Sequence, residues 1–518
     1  MVARASGDIA ANRKPQTANR ETRNAKREAR REKFDASACA GRFPILVAMN
    51  AAAELQTSRQ LRPWLCMTVA RLLLTALPTL AGASAAMAKS SAAPAEAEPA
   101  QAAPAQDESP QLGIAPGPEL AKKHLNQRDG ALEHFFVRLA ALEAGRAKKV
   151  RAVFYGSSEI GYDRVTSQIR RRLQARFGDG GKGFVVAAPG FRHTRHRDVK
   201  WRYAKSWDAY SVRFGRRADG RYGYGGAIAV GGAGAWVRYS TVESDHGRAQ
   251  GYYDFPAGTR FSNLEVFYQT APNAGDIAVT VDGQRVKTIA TAAASTGDAV
   301  ASLTLEDAPH AVELRAVGEE KNVRLYGVAM ERVQGFVLDA AMVVGAWGHT
   351  HLNFDAEHLA SQVARRAPDL IIFQMGAKEV FKIPDMDTAR EKEFIEKFTE
   401  SVRRTRAGRP QASCLVISSK DMGERRNGRI VTRQALERVV RGAKHVARNT
   451  GCAFFNLYAA MGGPGTAAAW WQHEPKLISP DLGHLMDPGA IKVGDIITDA
   501  LLAAYDNRKR PTKKNTAP

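Results

Sequence analysis

Apolar positions recur at helical spacing over 131–145, where Leu132, Phe135, Phe136, Leu139 and Leu142 share one face and Gly145 marks a stop. A continuous apolar run at Val150–Tyr155 predicts a buried strand, followed by the loop Gly156-Ser157-Ser158-Glu159. Val165, Ile169, Leu173 and Phe177 then repeat every four residues on a helix whose other face is rich in Arg. The same alternation resumes later. Strands are expected at Phe336–Val344, Asp369–Met375, Cys414–Ser418 and Cys452–Leu457. Helices are expected around Leu359 and Val363, around Phe394, Phe398 and Val402, over 432–449, and over 488–505. Strands alternating with helices predict a three-layer α/β/α domain built on a five-stranded parallel sheet.

Between about 200 and 334 the period falls to two. Val279, Val281, Val286 and Ile289 flank Asp282-Gly283, a dipeptide suited to a type I′ hairpin turn. Further short strands are expected at Ala235–Tyr239, Leu264–Tyr268, Ala311–Val317 and Val323–Val328. This segment reads as an independent β-sandwich inserted between the first and second strands of the α/β domain. The domain therefore occupies 119–199 and 335–506, with the insert at 200–334.

The N-terminal region carries no such periodicity. Residues 62–88 run from Arg62 through an apolar stretch over Leu72–Leu80 to Ala86-Met87-Ala88, the order of a secretory signal, so 49–88 is expected to be a signal peptide cleaved after Ala88. The alternative is a retained membrane anchor, which Pro78 and the short apolar run disfavour. Residues 1–48 read as a basic disordered segment or an over-long start. Their Arg- and Lys-rich run lacks interleaved aromatics, so nucleic acid is not an expected partner. Residues 89–118 form an Ala/Pro-rich linker and 507–518 a basic tail, both expected to be disordered.

Composition narrows the functional classes. The 518 residues are 44% hydrophobic, with a formal net charge of +22 and four Cys, which excludes a small disulfide scaffold and a wholly disordered chain. A mean hydropathy of -0.33 argues against a polytopic membrane protein. The basic balance favours anionic partners such as glycan or lipid. Beyond the leader, Cys414 and Cys452 are expected to be buried free thiols, although an exported protein would permit a bond.

The candidate chemistry lies at strand ends, where parallel α/β sheets bind ligands. Ser158 offers a hydroxyl. The loops Gly345-Ala346-Trp347-Gly348 and Gly376-Ala377-Lys378-Glu379 offer glycine amides, and Asp481-Leu482-Gly483-His484 offers an acid and a base three residues apart. His349 and His351 lack a third ligand at metal spacing, so no metal is expected. Trp347, Trp470 and Trp471 are candidates for stacking on a sugar, with core packing the better reading of the Trp470-Trp471 pair.

Blocks in a fixed order carry a family resemblance. VRAVFYGSSEIGYDRVTSQIRRRLQARFG resembles the first block of the SGNH (GDSL-type) hydrolases, PDLIIFQMGAKE the third and SPDLGHLMDPGA the last, over about 120–200 and 335–506. The insert resembles that of bacterial peptidoglycan O-acetylesterases and related cell-wall acyltransferases. The resemblance implies Ser158 as nucleophile, His484 as general base and Asp481 as its orienter, with no cofactor. It implies an oxyanion hole formed by the amides of Ser158 and Gly348 and the side chain of residue 378. The chain departs from the family pattern in placing Ser157 where Asp is usual, Glu159 where this branch often has His, and Lys378 where Asn is usual. The implied activity is that of a periplasmic or extracellular esterase or acyltransferase acting on acylated polysaccharide or peptidoglycan. The alternative is a catalytically degenerate relative that only binds glycan.

Overall fold

The computed structural model describes residues 123–127, 130–188, 194–243, 258–318 and 322–508. The expected leader, the linker and most of the basic tail lie outside them.

A six-stranded sheet organises the α/β part. Its order is Leu125–Asn126, Ala453–Phe455, Ser413–Ile417, Leu370–Gln374, Lys149–Gly156, Gly335–Met342. The first strand pairs antiparallel with its neighbour, and the remaining pairs are parallel. Helices cover both faces. Glu133–Glu143, Arg164–Phe177 and Asp487–Arg508 bury Phe135, Ile169, Leu173 and Ile497 on one side, while Ala356–Arg366, Thr388–Arg406 and Leu436–Thr450 bury Leu359, Phe398 and Val439 on the other. Asp355 and Asp387 cap two of these helices by accepting from the backbone N–H three residues on. The last helix extends past the expected boundary at 506 because Arg508 pairs with Glu133 at 2.7 Å.

The second part of the chain forms two antiparallel sheets that share one apolar core, with Val237, Ile277, Val279 and Leu314 of one facing Val185, Leu264, Val266 and Val328 of the other. Asp282 (φ 50°) and Gly283 (φ 85°) both take the left-handed conformation that a type I′ turn requires. Over the described residues as a whole, most strand pairs are therefore antiparallel.

Two expectations about this region need correction. Its boundary is earlier than 200, because Gly181–Val186 pairs antiparallel with Val323–Glu331. Nor is it independent: Phe184, Val186, Phe267 and Tyr326 on its outer face belong to the same buried cluster as Tyr155 and Phe373 of the central sheet. Period-two patterning reveals strands, but it does not show that both faces of a sheet are buried.

Ion pairs fasten the two parts. Glu331, buried at the end of its strand, accepts from Lys149 at 2.6 Å and from Arg366 at 2.5 Å. Burial pushes its carboxyl up, but these cations and Arg151 hold it well below the usual range.

The free-thiol expectation also fails. Cys414 and Cys452 form a disulfide joining neighbouring parallel strands, whose register places Leu415 opposite Ala453. A cross-link spanning 38 residues restricts the unfolded chain by roughly 4 kcal/mol on the loop-entropy model.

Candidate active site

The strand Lys149–Gly156 ends in a sharp turn that presents Ser158 at the carboxyl edge of the sheet. Gly156 is required here, because a Cβ would sit 2.7 Å from Ile160 Cγ1. Ser158 opens a short 3-10 turn, Ser158–Asp163, that leads into the helix Arg164–Phe177. Asp163, fully buried at φ 54°, pins that turn. Its carboxylate accepts from Arg170 at 3.1 Å, from the Arg197 amide at 3.0 Å, and from Lys182 and Thr166. Burial raises the Asp163 carboxyl, but Arg170 and Lys182 overcome this and hold it far below the ordinary range.

The loop before the last helix brings the other groups across. The Ser158 hydroxyl lies 3.1 Å from His484 Nε2, and His484 Nδ1 lies 2.5 Å from Asp481 Oδ2. Asp481 Oδ1 accepts from the amides of Gly483 and His484 and from the Ser479 hydroxyl, so the carboxylate is fixed from its own loop. Burial pushes its carboxyl up, but these bonds, His484 foremost, bring it well below normal, so it is anionic at neutral pH. With Nδ1–H donating to Asp481, Nε2 is left to accept from Ser158. A Cβ on Gly483 would overlap the Phe381 ring, and its absence lets Phe381 stack over His484 at 6.0 Å.

A buried pair braces these two loops from beneath. Lys420 Nζ donates to the Gly483 carbonyl and lies 3.7 Å from Glu159 Oε1. It thus links the residue after Ser158 to the residue before His484. Burial raises the Glu159 carboxyl above its ordinary value, against the pull of Lys420 and His484.

Ser158 opens onto two adjoining cavities. One, of about 400 Å³, is lined by Ser157, Gly345, Lys378, Phe381 and Phe214. The other, of about 390 Å³, is lined by Tyr162, Arg164, Ser479 and Met486. Phe214 comes from the inserted region, where neighbouring Arg213 donates to the Gly345 carbonyl at 3.2 Å. That contribution had no signal in the sequence, because it depends on how the two parts dock.

Gly348 does not fill its expected role. Its amide donates to the buried Glu379 Oε1 at 2.7 Å, and a Cβ there would sit 2.9 Å from the Phe394 ring and 3.1 Å from Phe398. Gly345, at φ 77°, is the glycine of that loop that lines the cavity. Lys378 lines the same cavity, its ammonium 5.9 Å from the Trp347 ring centroid. Glu159 faces Lys420, while Glu379 accepts from the Gly348 amide and interacts electrostatically with Lys378. Trp470 is buried in the core, which removes it as a sugar platform, whereas Trp471 is only partly buried. Among the described residues no cluster of three or more His, Cys, Asp or Glu is placed to hold a metal.

Glu379 also gives a pH prediction. Burial pushes its carboxyl up to about 7. The folded state therefore keeps this proton after the unfolded chain has released it, so stability should fall as pH rises from about 4.5 to 7, by roughly 3 kcal/mol at most. Glu379→Gln keeps an acceptor for the Gly348 amide and removes the titration. Melting curves across that range should show the variant gaining on the parent as pH rises; a constant offset between them would contradict this.

Neither a family model nor a curated protein sequence matches the chain. Among solved structures, a peptidoglycan O-acetylesterase aligns at TM-score 0.58 and 21% identity, covering 74% of this chain and 99% of its own. In fold, the chain resembles that O-acetylesterase. A family two carbohydrate esterase from Cellvibrio japonicus (11% identity, 60% of this chain and 99% of its own, TM-score 0.24) is far more distant. So is a lipase/acylhydrolase from Enterococcus faecalis (17% identity, 35% and 80%, TM-score 0.25). The O-acetylesterase alignment spans most of the described chain, so the likeness extends beyond a single α/β block.

Proposed function

We propose that this protein is an exported SGNH-type serine esterase that removes or transfers small acyl groups, chiefly O-acetyl, on a cell-wall or extracellular polysaccharide. The observation that carries the reading is the hydrogen-bonded chain Ser158–His484–Asp481, with distances of 3.1 and 2.5 Å. Around it, the α/β part is a three-layer domain on five parallel strands and the two antiparallel sheets are an inserted sandwich that supplies one wall of the site.

His484 Nε2 takes the Ser158 proton as Oγ attacks the ester carbonyl, and Asp481 stabilises the imidazolium that results. The amides of Ser158 and Gly345 and the Lys378 ammonium receive the developing negative oxygen. Collapse breaks the ester C–O bond and forms the acyl-enzyme on Ser158, and the departing sugar oxygen takes the proton from His484 to leave as a hydroxyl. Water, or a second sugar hydroxyl, then attacks the acyl-enzyme by the reverse path. Export is supported by the signal-like order of 62–88 and by the Cys414–Cys452 bond, which suits an oxidising compartment. Among the described residues no helix is long and apolar enough to cross a membrane.

The direct assay is acetate release from O-acetylated peptidoglycan and from an O-acetylated polysaccharide by the full chain, with transfer read from acetylated acceptor sugars. Absence of Ser158-dependent release or transfer from both substrates would reject the reading. Lys378 tests the altered oxyanion hole separately. Lys378→Ala should lower turnover of an aryl acetate by about 100–1000-fold, whereas Lys378→Asn, which restores a neutral donor, should stay close to the parent. Unchanged turnover in the Ala variant would remove Lys378 from the mechanism.

A further inference from the structure

Beside the catalytic loop lies a hairpin that the reaction does not use. Its strands, Gly423–Arg426 and Arg429–Thr432, pair antiparallel, and together with the helix Thr466–Gln472 they enclose a surface cavity of about 450 Å³. Ile430, Ala468 and Trp471 form its apolar part, and Arg425, Arg429 and Gln472 its polar part. The Arg425 guanidinium lies 5.6 Å from the Trp471 ring centroid, and Lys476 Nζ lies 4.8 Å from it.

Two features give this groove a direction and a charge. Gly423 donates to the Leu482 carbonyl at 2.8 Å, and a Cβ there would touch both Leu482 and Ile430, so the groove floor abuts the loop holding Asp481 and His484. At the other end of the second strand, Arg433 lies 4.5 Å from the centroid of Phe381, the ring stacked on His484. A continuous strip therefore runs from Trp471 and Arg429 through Arg433 and Phe381 to the catalytic histidine. Four residues of extended chain separate Arg429 from Arg433, about 13 Å, which suits an oligosaccharide better than a single sugar. The charges along the strip are unequal. Glu424 pairs with Arg426 at 2.5 Å and with Arg433 at 3.5 Å, whereas Arg425 and Arg429 form no ion pair among the described residues.

We propose that the hairpin 423–432 and Trp471 form a binding track for a carboxylate-bearing glycan chain, which they hold while an O-acyl group on the same chain is presented to Ser158. The inference rests on the esterase reading and narrows its substrate to an acidic polysaccharide. Trp471 supplies an apolar platform for a sugar face, and the planar guanidinium groups of Arg425 and Arg429 match carboxylates in a way that ammonium groups do not.

The test compares the parent with Arg425→Gln/Arg429→Gln on three substrates: an O-acetylated uronic-acid oligosaccharide, a neutral O-acetylated oligosaccharide of equal length, and an aryl acetate. The parent should prefer the uronic-acid substrate, and added salt should erase that preference. The double variant should lose about tenfold in kcat/KM on that substrate alone, mostly through KM, and keep its rates on the other two. Equal rates on acidic and neutral substrates in the parent, or an unchanged preference in the variant, would overturn the track. If neither protein turns over the aryl acetate, the esterase reading has failed instead. Titration with the deacetylated uronic-acid oligosaccharide then decides the track alone: weaker binding in the variant supports it, and equal or absent binding rejects it.

Discussion

Ser158→Ala should lower kcat/KM on an aryl acetate by about 10⁴-fold or more, with the fold and melting temperature nearly unchanged. Ser158 is only partly buried and its hydroxyl makes one described contact, to His484, so its loss opens no core cavity. His484→Ala should be comparably damaging, and combining the two should add little, because nucleophile and base act as one unit. Asp481→Asn should also cost about 10⁴-fold, since an amide cannot hold His484 in the Nδ1–H tautomer as a carboxylate does. Losses that simply multiply in the Ser158/His484 double variant would mean that the two residues do not share a step. Steady-state kinetics on the three single variants and the double variant read this directly.

The largest stability effect is expected behind the site. Asp163→Ala should destabilise the protein by roughly 3–5 kcal/mol, because it leaves Arg170 and Lys182 buried with Asp198 as their remaining anion. Arg170 is 2% exposed and Lys182 1%, so water cannot replace the lost carboxylate. Since Asp163 ends the turn that begins at Ser158, turnover should fall as well, more gently than in Ser158→Ala. The contribution has a defined pH window. Because the Asp163 carboxyl is held below its ordinary value in the fold, its stabilisation is fully present at neutral pH and is lost progressively as pH falls from the ordinary carboxylate range through the depressed value. Urea unfolding of parent and variant at neutral pH measures the difference, and a change under 1 kcal/mol would contradict this account.

Helical spacing at Val165–Phe177 and apolar runs such as Leu370–Gln374 were legible in the sequence because burial imposes a repeat on every position of an element. The Ser158 block was legible because it follows a strand end, whereas Asp481 and His484 lie in the loop before the last helix and were legible from their three-residue spacing rather than from a strand. What escaped depends on packing between segments distant in sequence. Which glycine of Gly345–Gly348 faces the cavity is set by Phe394, Phe398 and Glu379 pressing on Gly348. The hairpin 423–432 leaves little signal because its strands are short and Arg-rich, and the pattern predicts a helix from 432 where the structure begins one at Leu436. Phe214 reaches the site only through docking of the inserted region, and the Cys414–Cys452 bond required the register of two neighbouring strands.

Covalent labelling of the full chain with a fluorophosphonate probe tests most directly whether Ser158 is an activated nucleophile. A single adduct mapping to Ser158, absent from Ser158→Ala and greatly slowed in His484→Ala, is the predicted result. A folded protein that shows no Ser158-dependent labelling would contradict it.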